Sequence, residues 1–131
     1  MIEPTTEAQL KSALMRATKL LPIRWEKFRH EDSLRAGIPD ISITGNDRTV
    51  WWEVKHANPK IRDRGIQHYT CCRLAQAGRC FYVIYYETAK MENRKTYIVH
   101  PAELSVFKES TLWVPGFSHP WVVGYMQKAQ Q

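Results

Sequence analysis

Two acidic residues and a lysine fall in one predicted β-hairpin of this chain. Asp40 follows a proline, and Glu53 and Lys55 stand two positions apart further on. If the turn is centred between Asn46 and Asp47, antiparallel pairing sets the two acids directly opposite each other, with Cβ atoms about 4.5–5.5 Å apart. Carboxylates at that distance repel, and a divalent cation between them removes the repulsion. The pattern therefore predicts a site for Mg²⁺, with Mn²⁺ as a substitute.

The lysine adds a second chemical function to this predicted site. Side chains two positions apart on a strand point the same way, so Lys55 emerges beside Glu53. An ammonium group there can orient or help deprotonate a water and stabilise charge that builds up on a phosphate. The backbone carbonyl of Val54 could supply one more metal ligand. Together these groups predict hydrolysis of a phosphodiester bond by a metal-activated water.

Two helical residues could complete the site. Glu7 lies at the start of the apolar stripe of the first predicted helix, where it can face the sheet as a metal ligand. The alternative is an acid that only stabilises the helix macrodipole. Gln67 lies early in the second predicted helix and could reach the same pocket as a hydrogen-bonding group. The alternative for Gln67 is an ordinary solvated position.

Basic residues flank the predicted site, and the whole chain has a formal net charge of +6. Such a balance favours polyanionic partners, because binding releases counterions. Six of these residues could contact backbone phosphates. They are Arg29, Arg73 and, as the predicted nucleic-acid-binding set, Arg35, Lys60, Arg62 and Arg64. A merely solvated charged surface is the alternative.

The elements that must position these residues follow the order α-β-β-β-α-β-β. Thr6 and Gln9 fit a capping box, and Pro22 ends the first helix. Predicted strands cover 23–28, 39–44, 49–55, 80–86 and 96–99, the second helix covers 61–77, and a short helix covers 101–108. Residues 56–60 are predicted as a loop, and no element is predicted for the tail. We expect an α/β fold with a central mixed sheet of about five strands flanked by helices.

Length and composition limit the remaining possibilities. The 131 residues favour one domain over 1–131. No apolar run reaches the roughly 20 residues that cross a bilayer, so no membrane partner is expected. The first residues lack a secretory pattern, and Cys71, Cys72 and Cys80 make a poor disulfide framework. We therefore expect a cytoplasmic protein with buried thiols.

Three motifs carry a resemblance to a known family: Gly37-Ile38-Pro39-Asp40, Glu53-Val54-Lys55, and Gln67 with Leu74 and Gly78 before an apolar strand. In this order they resemble the VRR-NUC family of the PD-(D/E)XK, or restriction-endonuclease-like, superfamily. The resemblance implies an Mg²⁺-dependent nuclease in which Asp40 and Glu53 bind metal and Lys55 is catalytic. It suggests Glu7 and Gln67 as further site residues.

The resemblance also bears on the substrate. Small stand-alone members of the family are similar to Holliday-junction resolvases and act as dimers, which implies branched DNA as the substrate and a homodimer. Related exonucleases carry a tyrosine where this chain has Cys71, which weakens the case for a processive exonuclease. Two alternatives stay open: a non-catalytic nucleic-acid-binding module on the same fold, and a partner-binding protein that uses its Trp-rich tail.

Overall fold

A computed structural model describes residues 6–31, 37–57, 65–87 and 94–131. These residues form a mixed sheet with helices on its faces. The helices are α1 (Glu7–Ala17), α2 (Gly65–Gln76) and α3 (His119–Ala129), with 3₁₀ segments at Thr18–Leu20 and Pro101–Glu109. The strands are β1 (Glu26–Arg29), β2 (Ile41–Gly45), β3 (Arg48–Ala57), β4 (Cys80–Tyr86), β5 (Lys95–Val99) and β6 (Trp113–Pro115). None of the described helices combines the length and apolar character that crossing a membrane requires.

The sheet has six strands in the order β1-β2-β3-β4-β5-β6. The central pair β3–β4 is parallel and the other pairs are antiparallel, which confirms the predicted mixed sheet. The count exceeds the predicted five because β6 pairs with β5 in the tail. Its three residues are too few to show a β period in the sequence.

The β2–β3 hairpin has the predicted turn. Gly45 pairs with Arg48, so the turn consists of Asn46 and Asp47. Both residues have positive φ, 53° and 63°. A two-residue turn of this kind matches the right-handed twist of the strands it joins, and Asn and Asp tolerate that conformation. Local turn chemistry therefore fixes the register of the hairpin.

Alternate residues of β3 point to opposite faces of the sheet and belong to two different cores. Val50, Trp52 and Val54 lie in a cluster with Leu10 and Leu14 of α1 and with α3. The opposite face packs against α2 and the second 3₁₀ segment, in a cluster that includes Cys71, Ala75, Tyr82, Ile84 and Phe107. Strand β3 is thus buried on both faces, and any polar side chain on it requires a specific partner.

Helix α1 begins with the predicted capping box. The Thr6 hydroxyl accepts from the Gln9 N–H, and the Gln9 side chain accepts from the Thr6 N–H. The α-helix ends at Ala17 and one 3₁₀ turn continues to Leu20, one residue before the predicted end. The cap fixes the start of α1, and the buried Leu10 and Leu14 decide which of its faces meets the sheet.

The loop predicted for 56–60 is wrong at its start, and the tail has structure where no element was predicted. Strand β3 continues to Ala57, so His56 is not in a loop; its Nε2 lies 3.0 Å from Glu87 Oε2. The tail contains α3, capped by Ser118, and buries Val122 and Met126 against α1 and the sheet. Proline and glycine near α3 hide its helical period in the sequence. Phe117, Trp121 and Tyr125 pack on this core, which leaves less of the tail for a partner than predicted.

A buried glutamine joins the end of α3 to the hairpin turn. The Gln130 side chain is fully buried, and its Nε2 donates to the carbonyls of Gly45 and Arg48, at 2.8 Å each. These carbonyls flank the turn, so α3 supports the hairpin register from outside the sheet.

We expect Gln130→Met to lower the free energy of unfolding by about 1–3 kcal/mol, because two partly buried carbonyls lose the Gln130 donor. Urea unfolding would measure the loss. Gln127→Met is the matched control, since Gln127 is exposed on the same helix. Equal stability of the two variants would contradict the role given to Gln130.

Candidate active site

The two predicted acids lie side by side, and the side chain of each accepts a hydrogen bond from the backbone across the hairpin. Asp40, one residue before β2, donates its N–H to Glu53 Oε1 at 3.1 Å. In return, Asp40 Oδ2 accepts from the Val54 N–H at 2.8 Å. Each carboxylate is therefore held by the opposite strand. The register set by the turn brings Asp40, Glu53 and Val54 together as the sequence predicts.

Lys55 completes this group and connects it to α2. Its Nζ lies 3.3 Å from Glu53 Oε2 and donates to Gln67 Oε1 at 2.7 Å. The lysine is only 6% exposed, so its charge requires these oxygen partners. Gln67 reaches the pocket from the first turn of α2, as predicted, and holds the ammonium beside Glu53.

Glu53 is the most deeply buried charged group of the site, at 1% exposure. Its Oε2 has an ion-pair contact with Lys55 but accepts no hydrogen bond. Burial raises the pKa of Glu53 to about 9, and the negative charge of Asp40 adds to this, while the Lys55 ammonium opposes it. The protein thus keeps an acid where its ionised form is unfavourable, which is typical of functional sites.

A second lysine, absent from the sequence prediction, lies at the site. Lys11 of α1 places its Nζ 2.9 Å from Asp40 Oδ1 and 3.7 Å from Glu7 Oε2. Burial opposes the charge, but the hydrogen bond and negative charge of Asp40 outweigh it and raise the pKa of Lys11. The spacing of Glu7 and Lys11, four residues on one helix face, is the sequence signal that could have revealed it.

Glu7, which the sequence predicts as a metal ligand, borders the site, and its carboxylate contacts other protein groups there. Its Oε1 accepts from the His56 N–H at 3.2 Å, which ties the start of α1 to β3. Its Oε2 faces Lys11, and the Lys11 ammonium also contacts Asp40. Glu7 therefore holds α1 and Lys11 in place, and a direct metal role for it stays a prediction.

The predicted nucleic-acid-binding residues Arg35, Lys60, Arg62 and Arg64 lie outside the described residues. The other two members of the basic set are described. Arg29 donates to the Ser12 hydroxyl from β1, and Arg73 lies over the Tyr69 ring on α2. The phosphate contacts of the set stay a prediction.

Among the described residues, no group of three or more His, Cys, Asp or Glu side chains is arranged to hold a metal ion. Asp40 and Glu53 form a pair of carboxylates instead.

A comparison with models of known protein families gave no match to this chain, and a search of curated proteins gave none either. The geometry of the site must therefore carry the functional argument.

We expect the stability of the metal-free protein to fall as pH rises from ~5 to ~8, because of Glu53. Its pKa is raised in the folded state, so the folded chain holds a proton that the unfolded chain has released. Glu53→Gln removes this titrating group. Between pH ~5 and ~8, the free energy of unfolding of the variant relative to wild type should therefore rise by about 2–4 kcal/mol.

Urea unfolding in EDTA at several pH values would measure this difference. Glu109→Gln is the control, because Glu109 is exposed in the second 3₁₀ segment. If the difference in free energy of unfolding between Glu53→Gln and wild type does not change with pH, the titration of Glu53 is not the cause.

Proposed function

We propose that this protein is an Mg²⁺-dependent nuclease that hydrolyses phosphodiester bonds of DNA on a restriction-endonuclease-like core. One observation carries the proposal: Asp40, Glu53 and Lys55 meet in one buried contact across the β2–β3 hairpin. Two acids and an amine at this spacing match the PD-(D/E)XK pattern that the sequence resembles. The sheet order and the Gln67 contact to Lys55 agree with it.

The residues present fit a magnesium ion. Mg²⁺ is usually bound through one or two carboxylates, with waters and substrate phosphates in its other positions. Asp40 and Glu53 would supply these carboxylates, and the Val54 carbonyl a further oxygen. The buried Glu53 Oε2, which accepts no hydrogen bond, has free capacity for a cation. A bound Mg²⁺ would supply Lewis-acid polarisation of a phosphoryl oxygen and a hydroxide nucleophile at neutral pH.

The chain's own residues prepare the site. The N–H groups of Asp40 and Val54 orient the two carboxylates, so that neither must reorganise when a cation binds. Gln67 and Glu53 hold the Lys55 ammonium at the carboxylate pair. From there Lys55 steadies the negative charge that builds up on a phosphate during attack. The buried position strengthens this effect, because water screens it less.

A non-catalytic binding module explains the site less well. Binding of a DNA backbone needs exposed cations, and it gives no reason to bury Glu53 at 1% exposure beside Asp40. Such a pair weakens the fold without a cation. Side chains that lower the stability of a fold are typical of catalytic sites, because activity requires them there.

Branched DNA is the proposed substrate, and a homodimer the proposed active form. Both rest on the resemblance to VRR-NUC nucleases. Two sites in one dimer would allow paired cuts on the two strands of a junction, which a monomer cannot make at once.

The direct test is cleavage of a labelled four-way junction, a flap and a plain duplex, with Mg²⁺ and with EDTA. We expect Asp40→Asn and Lys55→Met to lower the rate at least about a hundredfold, because each removes a group that acts on the reacting phosphate. The matched controls are Glu109→Gln and Lys108→Met, both exposed in the second 3₁₀ segment. Cleavage that persists in EDTA or in Asp40→Asn would rule out the mechanism.

We expect Lys11→Met to tighten binding of Mn²⁺ alone roughly tenfold. The Lys11 ammonium already contacts Asp40 Oδ1, and a metal ion must compete with it. Titration calorimetry without DNA would measure the affinity. Lys19→Met, exposed on the 3₁₀ continuation of the same helix, is the control. Weaker Mn²⁺ binding by Lys11→Met would mean that Lys11 supports the metal site instead.

A further inference from the structure

We propose that a basic groove between α1 and β1 binds the DNA backbone next to the cleaved bond. This inference rests on the proposed function and adds a binding surface to it. The groove is a cavity of about 420 Å³, within the usual range for ligand-binding clefts. Its lining residues are Ser12, Met15, Arg16, Thr18, Lys19, Lys27 and Arg29. Of these, Arg29 is among the six residues that the sequence predicts as phosphate contacts, and the other lining residues are not.

The charge of the groove has one sign. Arg16 and Lys19 line it from α1 and its 3₁₀ continuation, and Lys27 and Arg29 line it from β1. No acidic side chain of the described chain lines the cavity. Four cations around one cleft repel each other, and a polyanion lying between them removes that repulsion.

The β1 cations are held in the groove by their neighbours. Lys27 and Arg29 pair with Ile43 and Ile41, so both point to the face that α1 covers. The Arg29 guanidinium donates to the Ser12 hydroxyl at 2.8 Å, and the Lys27 ammonium donates to the Pro22 carbonyl at 3.1 Å. Arg29 also pairs with Glu31, which neutralises part of its charge. Arginine and lysine held in this way lose less freedom when they bind a phosphate.

Two lining residues of the groove are sequence neighbours of residues that contact Asp40. Ser12 follows Lys11, whose ammonium contacts Asp40. On the other wall, Arg29 precedes His30, whose N–H donates to the Asp40 carbonyl at 2.7 Å. From Lys11, Lys19 lies about 12 Å farther along the helix. Base pairs repeat about every 3.4 Å along DNA, so the groove would contact phosphates within about four nucleotides of the cut.

The test is DNA binding in EDTA, where no cleavage occurs, by anisotropy of a labelled duplex over a series of salt concentrations. We expect Arg16→Gln/Lys19→Gln to weaken binding about tenfold or more and to lower the salt slope by roughly 2. Both residues are exposed, so the variant should fold, and thermal unfolding would verify this. Lys19→Glu is a second variant, expected to weaken binding further than Lys19→Gln.

The matched control is Lys95→Gln/Lys108→Gln, which removes the same charge. Lys95 lies on β5, which is separated from β1 by three strands, and Lys108 lies on the opposite face of the sheet from α1. We expect this control variant to bind DNA with the same affinity and salt slope as wild type. Equal losses in both pairs would mean that only net charge matters and would overturn the groove, as would failure of wild type to bind DNA.

The groove and the nuclease proposal fail separately. If wild type cleaves DNA with Mg²⁺ while Arg16→Gln/Lys19→Gln binds and cleaves equally well, the groove is overturned and the proposed function stands. If that variant loses DNA binding and wild type never cleaves any substrate, the groove stands and the nuclease proposal fails.

Discussion

The candidate site depends on one exchange of hydrogen bonds across the β2–β3 hairpin. Asp40 donates its N–H to Glu53, and Val54 donates its N–H to Asp40. This exchange exists in one register only, because a slip by one residue would turn Glu53 to the opposite face of the sheet. The two-residue turn at Asn46 and Asp47 sets that register from inside the hairpin. The distant Gln130 holds it from outside, through carbonyls on both sides of the turn.

The rest of the fold buries the charged groups that this register brings together. Core packing on both faces of β3 removes water from Glu53 and Lys55, which strengthens every charge interaction there. Helix α2 supplies Gln67 from one face, and α1 supplies Lys11 from its own end of the sheet. The same burial raises the pKa of Glu53 and lowers the stability of the fold at alkaline pH. On the proposed function, the burial of Glu53 thus favours activity and lowers stability at the same time.

The parts that sequence could predict are those fixed by local patterns. The capping box at Thr6, the turn at Asn46 and the alternation along β3 each follow from a few neighbouring residues, and they give the contact of Asp40 with Glu53. The spacing of Lys11 from Glu7 is visible in the sequence, but its contact with Asp40 depends on how α1 packs on the sheet. Helix α3 was not predicted because prolines and glycines interrupt its pattern, although tertiary contacts stabilise it. The basic groove was not predicted because only the packing of α1 beside β1 brings its four cations together.

One consequence concerns the chain before any ion arrives. Two ammonium groups, those of Lys11 and Lys55, contact Asp40 and Glu53, and in the metal-free protein Glu53 holds a proton because its pKa is raised to about 9. Many sites that gather acids for a cation are unstable until it binds, because the acids repel. Here the two amines and the proton on Glu53 limit that repulsion before a cation binds. On the proposed function, an arriving cation would displace the proton of Glu53 in an already assembled domain, so folding and activation would be separate events.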